Sequence, residues 1–404
     1  MLVHKLRFKT DDGSDFPEWE EKKIGELGTF IKGASLSKAD ISECGSLLIL
    51  YGELYTTYKE VAYNIQRKTQ AVVEKKYYSC VGDVIIPTSG ESAEEISTAT
   101  CVMVPDVILG GDLNIFRSDI VDGRVMSYIL NHQAKWKIAT IAQGKSIVHI
   151  QAKQLSNIGV KYPVSKVEQQ KIAEFFSIVD TVIEKQKETV SAWEERKKGV
   201  MQKLFSQEVR FKADDGNDFP EWEEKKLGEV GDIMTGNTPS TKQEDYYGGC
   251  YLWVTPADIT DSREVSVTAK KLTELGYTVA RHIPANSVLV TCIASIGKNA
   301  IIRENGSCNQ QINSITPYND YSVEFVYYLI CQNERLLHAN AGTGGMEILN
   351  KDSFSKIKMY FPCLEEQQKI VDCLSSLDEV IAKQKATLAA WEELKKGLLQ
   401  QMFV

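Results

Sequence analysis

The stretch ATIAQGKS at 139–146 ends in the glycine, lysine and serine that, in a phosphate-cradling loop, hold a nucleotide's phosphates and its Mg2+. Such a loop needs a glycine where Ala139 stands, and no strand and helix frame it; SIGKN at 295–299 carries less of the pattern. No GxGxxG fingerprint opens a βαβ unit, so no dinucleotide or methyl-donor cradle is visible. His4, His132, His149, His282 and His338 show neither the HxxxH nor the HExxH spacing that sets imidazoles on one helix face for a metal. Pro105-Asp106 offers a carboxylate of the kind nucleases use, yet no acidic-x-Lys follows at strand distance. The expectation is a chain with no catalytic centre, no metal site and no cofactor of its own.

Composition narrows the class. At 404 residues the chain has room for two or three domains, and 43% hydrophobic with 25% charged residues is ordinary for a soluble globular protein. The nine cysteines are scattered singly without a CxxC pair, as expected of reduced thiols. No apolar run is long enough to span a bilayer and MLVHKLRFKT is too polar for a secretory signal, so a cytoplasmic protein without membrane contact is expected. A net charge of −8 argues against gripping nucleic acid by bulk electrostatics alone.

What the chain does carry is duplicated. RFKTDDGSDFPEWEEKK at 7–23 returns as RFKADDGNDFPEWEEKK at 210–226, with only Thr10/Ala213 and Ser14/Asn217 different. EQQKIAEFFSIVDTVIEKQKETVSAWEERKKGVMQKLF at 168–205 returns at 366–403 with 22 of 38 positions identical. Two copies of one unit are therefore present. Between the matched ends, 24–160 and 227–358 share little; β-branched and aromatic runs broken by Gly, Asn and Pro (GDVIIPTSG at 82–90, NSVLVTCIASIGKNAII at 286–302) predict strands and turns. A helix is expected near the end of each, around Ser127–Ile141 and Val323–His338.

In the long matched segments, Ile172, Phe176, Val179, Ile183, Gln186, Val190, Trp193, Lys197, Val200 and Leu204 step by four and three, and Ile370, Leu374, Leu377, Ile381, Gln384, Leu388, Trp391, Lys395, Leu398 and Met402 repeat the phase. This is a heptad seam, uninterrupted by proline, on a rod of about 57 Å. The economical burial is rod on rod. With a pseudo-two-fold axis the rods run antiparallel and the C-terminus arrives beside 7–23, which makes the repeated peptide a joint between rod and domain. Phe16, Pro17 and Trp19, with Phe219, Pro220 and Trp222, are its expected packing anchors. Gln186 and Gln384 sit in the seam where apolar residues are expected, either as buried polar residues that fix register or as the exposed edge of a short antiparallel pair. The predicted organisation is α+β: a joint at 1–23, a domain at 24–160, a helix at 161–209, a joint at 210–226, a second domain at 227–358 and a helix at 359–404.

These motifs resemble the specificity subunits of type I restriction–modification systems. The resemblance rests on the duplicated EQQKI helices and on WEEKKIGELG and WEEKKLGEVG opening each half. It rests also on TGNTPSTKQEDYYGGCYLWVTPADI at 235–259 and on the tails GTGGMEILNKDSFSKIKMYFPCLEEQQKI at 342–370 and QGKSIVHIQAKQLSNIGVKYPVSKVEQQKI at 143–172. The opening of the first domain, IKGASLSKADISECGSLLILYGELYT, departs from that pattern. The resemblance implies two target-recognition domains, each reading half of a bipartite asymmetric site in double-stranded DNA. Two antiparallel coiled-coil helices would hold them apart, set the spacer and dock two methyltransferase (M) subunits. Restriction (R) subunits would complete the complex; S-adenosylmethionine, ATP and Mg2+ would belong to those partners.

Base readout takes Arg, Lys, Asn, Gln, Ser or Thr on loops. The candidates are Lys32, Ser35, Lys38, Ser89, Arg117, Lys145 and Ser146 in the first domain. In the second they are Asn237, Thr238, Ser240, Lys242, Arg263, Ser295, Lys298 and Thr343. The coiled-coil and partner interface is assigned to Ile172, Phe176, Val179, Ile183, Gln186, Trp193, Ile370, Leu374, Leu377, Ile381, Gln384 and Trp391. A coiled-coil adaptor with two protein-binding domains is the alternative, but it leaves TGNTPST…WVTPADI unexplained.

Overall fold

The computed structural model describes residues 6–142, 148–342 and 347–404. The chain forms two compact units, Met1–Glu188 with Ala386–Val404, and Thr189–Lys385.

In the first unit a five-stranded sheet has the order Thr29–Lys32, Leu113–Arg117, Asp83–Pro87, Thr100–Val102, Val61–Ala62. Its pairs are antiparallel except the last, where Val61 and Ala62 run parallel to Cys101 and Val102. A three-stranded sheet, Lys68–Thr69, Ser46–Leu50, Ile108–Gly110, lies beside it. A ladder of Glu20–Lys23 with Gly159–Tyr162 closes the ends of the domain onto the helix that follows. The second unit repeats this strand for strand: Gly231–Thr235, Ile312–Pro317, Ser287–Thr291, Asn299–Ile302, Glu264–Val265; then Lys271–Leu272, Tyr247–Val254, Gly306–Cys308; then Glu223–Lys226 with Lys358–Phe361. The duplication therefore runs through the regions whose sequences diverge. A pleated face accepts any apolar residue that fills it, so DVIIP and SVLVT, both buried throughout, build the same central strand.

The helix expected around Ser127–Ile141 is two, Gly123–Asn131 and Lys135–Ile141; its counterpart likewise divides into Val323–Gln332 and Glu334–Ala339. The first helix of each pair packs on the sheet, against Thr100–Val102 and Asp83–Pro87 in one unit and Asn299–Ile302 and Ser287–Thr291 in the other. Tyr128 and Tyr328 from the first helices are fully buried.

Both long segments are continuous 40-residue helices, Lys166–Phe205 and Leu364–Phe403. The first stops where Gln207 takes a left-handed φ of 60° and Val209 N–H bonds back to the Lys203 carbonyl at 3.2 Å. Within the first unit, Ile172, Ala173 and Phe176 share a core with Leu399, Met402 and Phe403. Within the second, Met201 and Leu204 meet Ile370, Val371 and Leu374. Ascending numbers on one helix meet descending numbers on the other, so each meeting is antiparallel. Of the seam, Ile183, Val190 and Ile381 are also buried, while Gln186, Trp193, Leu377, Gln384 and Trp391 are half-buried.

Candidate functional site

The repeated motifs first build the joints. Glu168, one turn into its helix and without exposure, accepts hydrogen bonds from Arg7 Nε and Nη2, both 3.2 Å, and from Trp19 Nε1 at 3.1 Å. Glu366 accepts the same set from Arg210 at 3.1 and 2.8 Å and from Trp222 Nε1 at 3.2 Å. A buried carboxylate is tolerable only when paired and fully hydrogen-bonded, and these are. The next residue, Gln169, accepts from Asp122 N–H at 2.8 Å and donates to the Pro163 carbonyl at 2.7 Å. Gln367 does so with Ser322 and Pro362, at 2.9 Å each. Lys171 and Lys369 pair with Asp11 and Asp214 of the repeated peptide.

Every charged and amide residue of EQQK except the surface Gln170 and Gln368 thus binds its peptide or its domain. Trp19 also packs on Phe403, 5.7 Å between centroids, and Trp222 on Phe205 at 6.3 Å, so each peptide sits where one helix begins and the other ends. Phe16, Trp19, Phe219 and Trp222 are buried as expected; Pro17 and Pro220 are exposed and act instead through their carbonyls, which accept from Arg7 at 2.8 Å and Arg210 at 2.6 Å. The glycines of GELG and GEVG have a steric reason: a Cβ on Gly28 would stand 2.3 Å from the Arg117 carbonyl oxygen, and one on Gly231 2.4 Å from that of Thr316.

Away from the joints, four loops gather in each unit. In the first, Ala34 N–H bonds the Leu109 carbonyl (2.9 Å), Thr88 N–H bonds Asp112 (2.7 Å) and Ile150 N–H bonds Thr88 (2.9 Å). In the second, Asn237 N–H bonds Cys308 (3.0 Å), Cys292 N–H bonds Gln311 (2.8 Å) and Leu349 N–H bonds Cys292 (2.9 Å). Buried Asn114 and Asn313 brace the clusters from the sheet by donating to the Ile150 and Leu349 carbonyls, at 3.3 and 2.8 Å. The loops share a frame, and their side chains differ.

Most of the candidate base readers fall on these loops. Lys32, Ser35 and Lys38 are exposed around a cleft of about 840 Å3, joined there by Tyr51, Arg67 and Tyr77. The sequence reading missed these three because the three-stranded sheet and its connections, remote in sequence, bring them in. Arg67 is fixed by Glu53, 2.9 Å from its Nε; burial raises the pKa of that carboxyl, against the pull of the Leu50 N–H and Arg67. In the second unit Thr238, Ser240, Lys242 and Lys298 are exposed, with Thr238 Oγ1 donating to Gln310 Oε1 at 2.5 Å. Ser295 is half-buried in the turn shaped by Ala294 and Gly297, both at positive φ. Gln310 and Arg281 flank this cluster and were not singled out in the sequence.

Four candidates are committed elsewhere. Ser89 is buried and donates to Asp112 Oδ2 at 2.9 Å. Arg117 binds Asp83 with Nε at 2.9 Å and the Tyr78 carbonyl with Nη2 at 2.6 Å. Asn237 ties its loop to the 279–281 segment, accepting from Arg281 N–H at 2.7 Å and donating to the Val279 carbonyl at 3.3 Å. Arg263 donates to Tyr328 Oη and Ser375 Oγ, 2.9 Å each, away from the loop cluster. Each was chosen for a polar end group whose partner, distant in sequence, had already taken it. Lys145, Ser146 and Thr343 lie outside the described residues. Asp106 is a left-handed turn residue, φ 59°. Among the described residues no group of three or more His, Cys, Asp or Glu is placed to hold a metal ion, and no helix is long and apolar enough to cross a membrane.

Comparison with known proteins places these features in a family. A family model described as the type I restriction modification DNA specificity domain matches residues 17–191 and again 220–390. The type I restriction enzyme MjaIX specificity subunit of Methanocaldococcus jannaschii is 31% identical over 211 residues, 50% of this chain and 48% of that protein. The HindI specificity subunit of Haemophilus influenzae is 34% identical over 150 residues, 36% and 32% of the two chains. The alignments thus span about half and a third of those relatives. The MjaVIII specificity subunit of M. jannaschii aligns over 97% of this chain and 94% of its own, at 24% identity. Among solved structures, the S subunit of a type I system from M. genitalium superposes with a TM-score of 0.61 at 15% identity, covering 99% and 98% of the two chains. A chain from a study of complex assembly and conformational transition of the type I system gives 0.57 at 17%, covering 96% and 98%. At such identities these two bear on the fold alone.

Proposed function

The chain belongs to the type I restriction–modification DNA specificity family, and from that premise we propose that it is the subunit that reads DNA sequence for such a system. Each unit's loop cluster reads one half of a bipartite target in double-stranded DNA, and the two halves differ because the loops differ on a common frame. The carrying observation is that pairing: the same four loops stitched by equivalent backbone bonds, presenting Lys32, Ser35, Lys38 and Arg67 in one unit and Thr238, Ser240, Lys242 and Lys298 in the other. Loop lysines position the protein on phosphates while serine, threonine and arginine end groups reach base edges. The weak charge then assigns much of the phosphate grip to partners: 24–160 holds 13 basic and 14 acidic residues, and 227–358 holds 11 and 14.

Those partners are two methyltransferase subunits docked on the paired helices, with restriction subunits added for cleavage. Methyl transfer with S-adenosylmethionine, and ATP- and Mg2+-dependent cleavage, belong to them, and the complex works in the cytoplasm on chromosomal and incoming DNA. The test is selection from a randomised DNA library by this chain co-purified with its methyltransferase subunit. A single bipartite motif is expected. Lys32→Ala with Lys38→Ala should lower the salt slope of binding by about two units. Recovery of no motif would refute the reading.

A further inference from the structure

The two seats where domain meets paired helices are built on the same ion pair. In the first unit Asp180 and Lys395 lie 2.7 Å apart; in the second their repeat equivalents, Asp378 and Lys197, lie 2.5 Å apart with the roles of the helices exchanged. Each domain presses one residue into its seat from an equivalent place, immediately before the parallel edge strand. The carbonyl of Glu60 accepts from Cys101 N–H and that of Arg263 from Ile301 N–H, both at 2.8 Å.

These two residues have opposite charge. Glu60 Oε2 reaches Lys395 Nζ at 2.8 Å, so Lys395, almost fully buried, is shared between an acid of the helices and an acid of the domain. Arg263 instead takes the hydroxyls of Tyr328 and Ser375, and Tyr328 donates to Asp378 Oδ2 at 2.5 Å. In the first unit the equivalent Tyr128 hydroxyl has no hydrogen-bond partner among the described residues, and Ser177, the equivalent of Ser375, accepts from Tyr63 at 3.1 Å. The same pair of helix residues thus receives an acid from one domain and a base from the other, so each domain is held by its own set of polar contacts although the helices are copies.

We propose that Glu60 and Arg263 are positioning residues: they lock each recognition domain in one pose on its own stretch of paired helix, and thereby set which spacing between half-sites the protein accepts. This rests on the DNA-reading function proposed above. Half-site separation is a geometric property of a rigid reader, and play at either seat becomes tolerance in that separation. The residues act through the domain and touch no base.

The experiment uses the full chain with its methyltransferase subunits and DNA carrying the selected halves at the native gap or one base pair longer or shorter. Wild type should prefer the native gap strongly. Glu60→Gln and Arg263→Gln should each reduce that preference by about tenfold, as expected for loss of a coupling between sites, while penalties for base changes within each half stay unchanged. Arg263→Lys, which keeps the charge, should recover part of the preference. Circular dichroism and melting confirm that each variant compared is folded. Unaltered gap preference in folded Glu60→Gln and Arg263→Gln proteins, or a change in base penalties instead, would overturn the proposal. Absence of any sequence-specific binding by wild type would instead refute the DNA-reading function itself.

Discussion

Glu168 and Glu366 have no exposure, and their charge is met by one arginine and one indole each. Glu168→Ala would strand the Arg7 guanidinium and the Trp19 N–H in a dry joint. The expected loss is about 3–5 kcal/mol, read as a lowered urea midpoint, with the same for Glu366→Ala; midpoints like wild type would show that water already reaches these carboxylates. Glu60 supports a pH prediction. Burial alone would raise its carboxyl, but the neighbouring His132 and the Lys395 ammonium outweigh it and hold the group well below the usual carboxylate range. A folded pKa below the unfolded value means stabilisation that is fully present above about pH 4.3 and disappears as pH falls through the depressed folded value. Asp180, His132 and Lys59 share the neighbourhood, so the measurement is a difference between proteins. The melting-temperature gap between wild type and Glu60→Gln should be constant from pH 7 to about 5 and shrink below about 4. A gap that widens in acid would contradict the pairing with Lys395.

At the scale of elements, the heptad phase of Ile172–Leu204 and Ile370–Met402 was legible because a helix repeats its burial every three or four residues, and one turn differs little from the next. Phe176 and Leu374, equivalent positions, are both fully buried. Phe176 packs against Tyr128 at 5.0 Å and Phe175 at 5.3 Å, so Phe176→Ala should cost about 3–5 kcal/mol. It should also speed amide exchange in Gly123–Asn131, which carries Tyr128; exchange unchanged there would mean that the helix does not support the domain. The shared topology of 24–160 and 227–358 was not legible. Strand identity depends on alternation and partners, and SLLIL aligns poorly with YGGCYLWV although both are central strands of equivalent sheets. Polar loop residues were the hardest to read. Lys32 and Lys38 are exposed, whereas Ser89, Arg117 and Arg263 were taken by Asp112, Asp83 and Tyr328, and nothing local to SRE or FRS announces those partners.

For the molecule as a whole, duplication explains both what is kept and what varies. The joint peptide, EQQK and the Asp–Lys pairs are constrained twice over by partners that are themselves duplicated, so they stay alike. The loop side chains face outward on a fixed frame and are free to diverge, which is what a reader of two unlike half-sites requires. On the proposed function, a chain of net charge −8 is expected to bind DNA weakly by itself and to draw much of its counterion release from partner subunits. The most direct test of the central claim is a genome-wide map of N6-methyladenine in the source cell with and without this gene. Loss of one motif, two short and dissimilar halves around a constant gap, is the predicted result. A methylation pattern unchanged by the deletion, in cells where the methyltransferase partner is expressed and active, would contradict it.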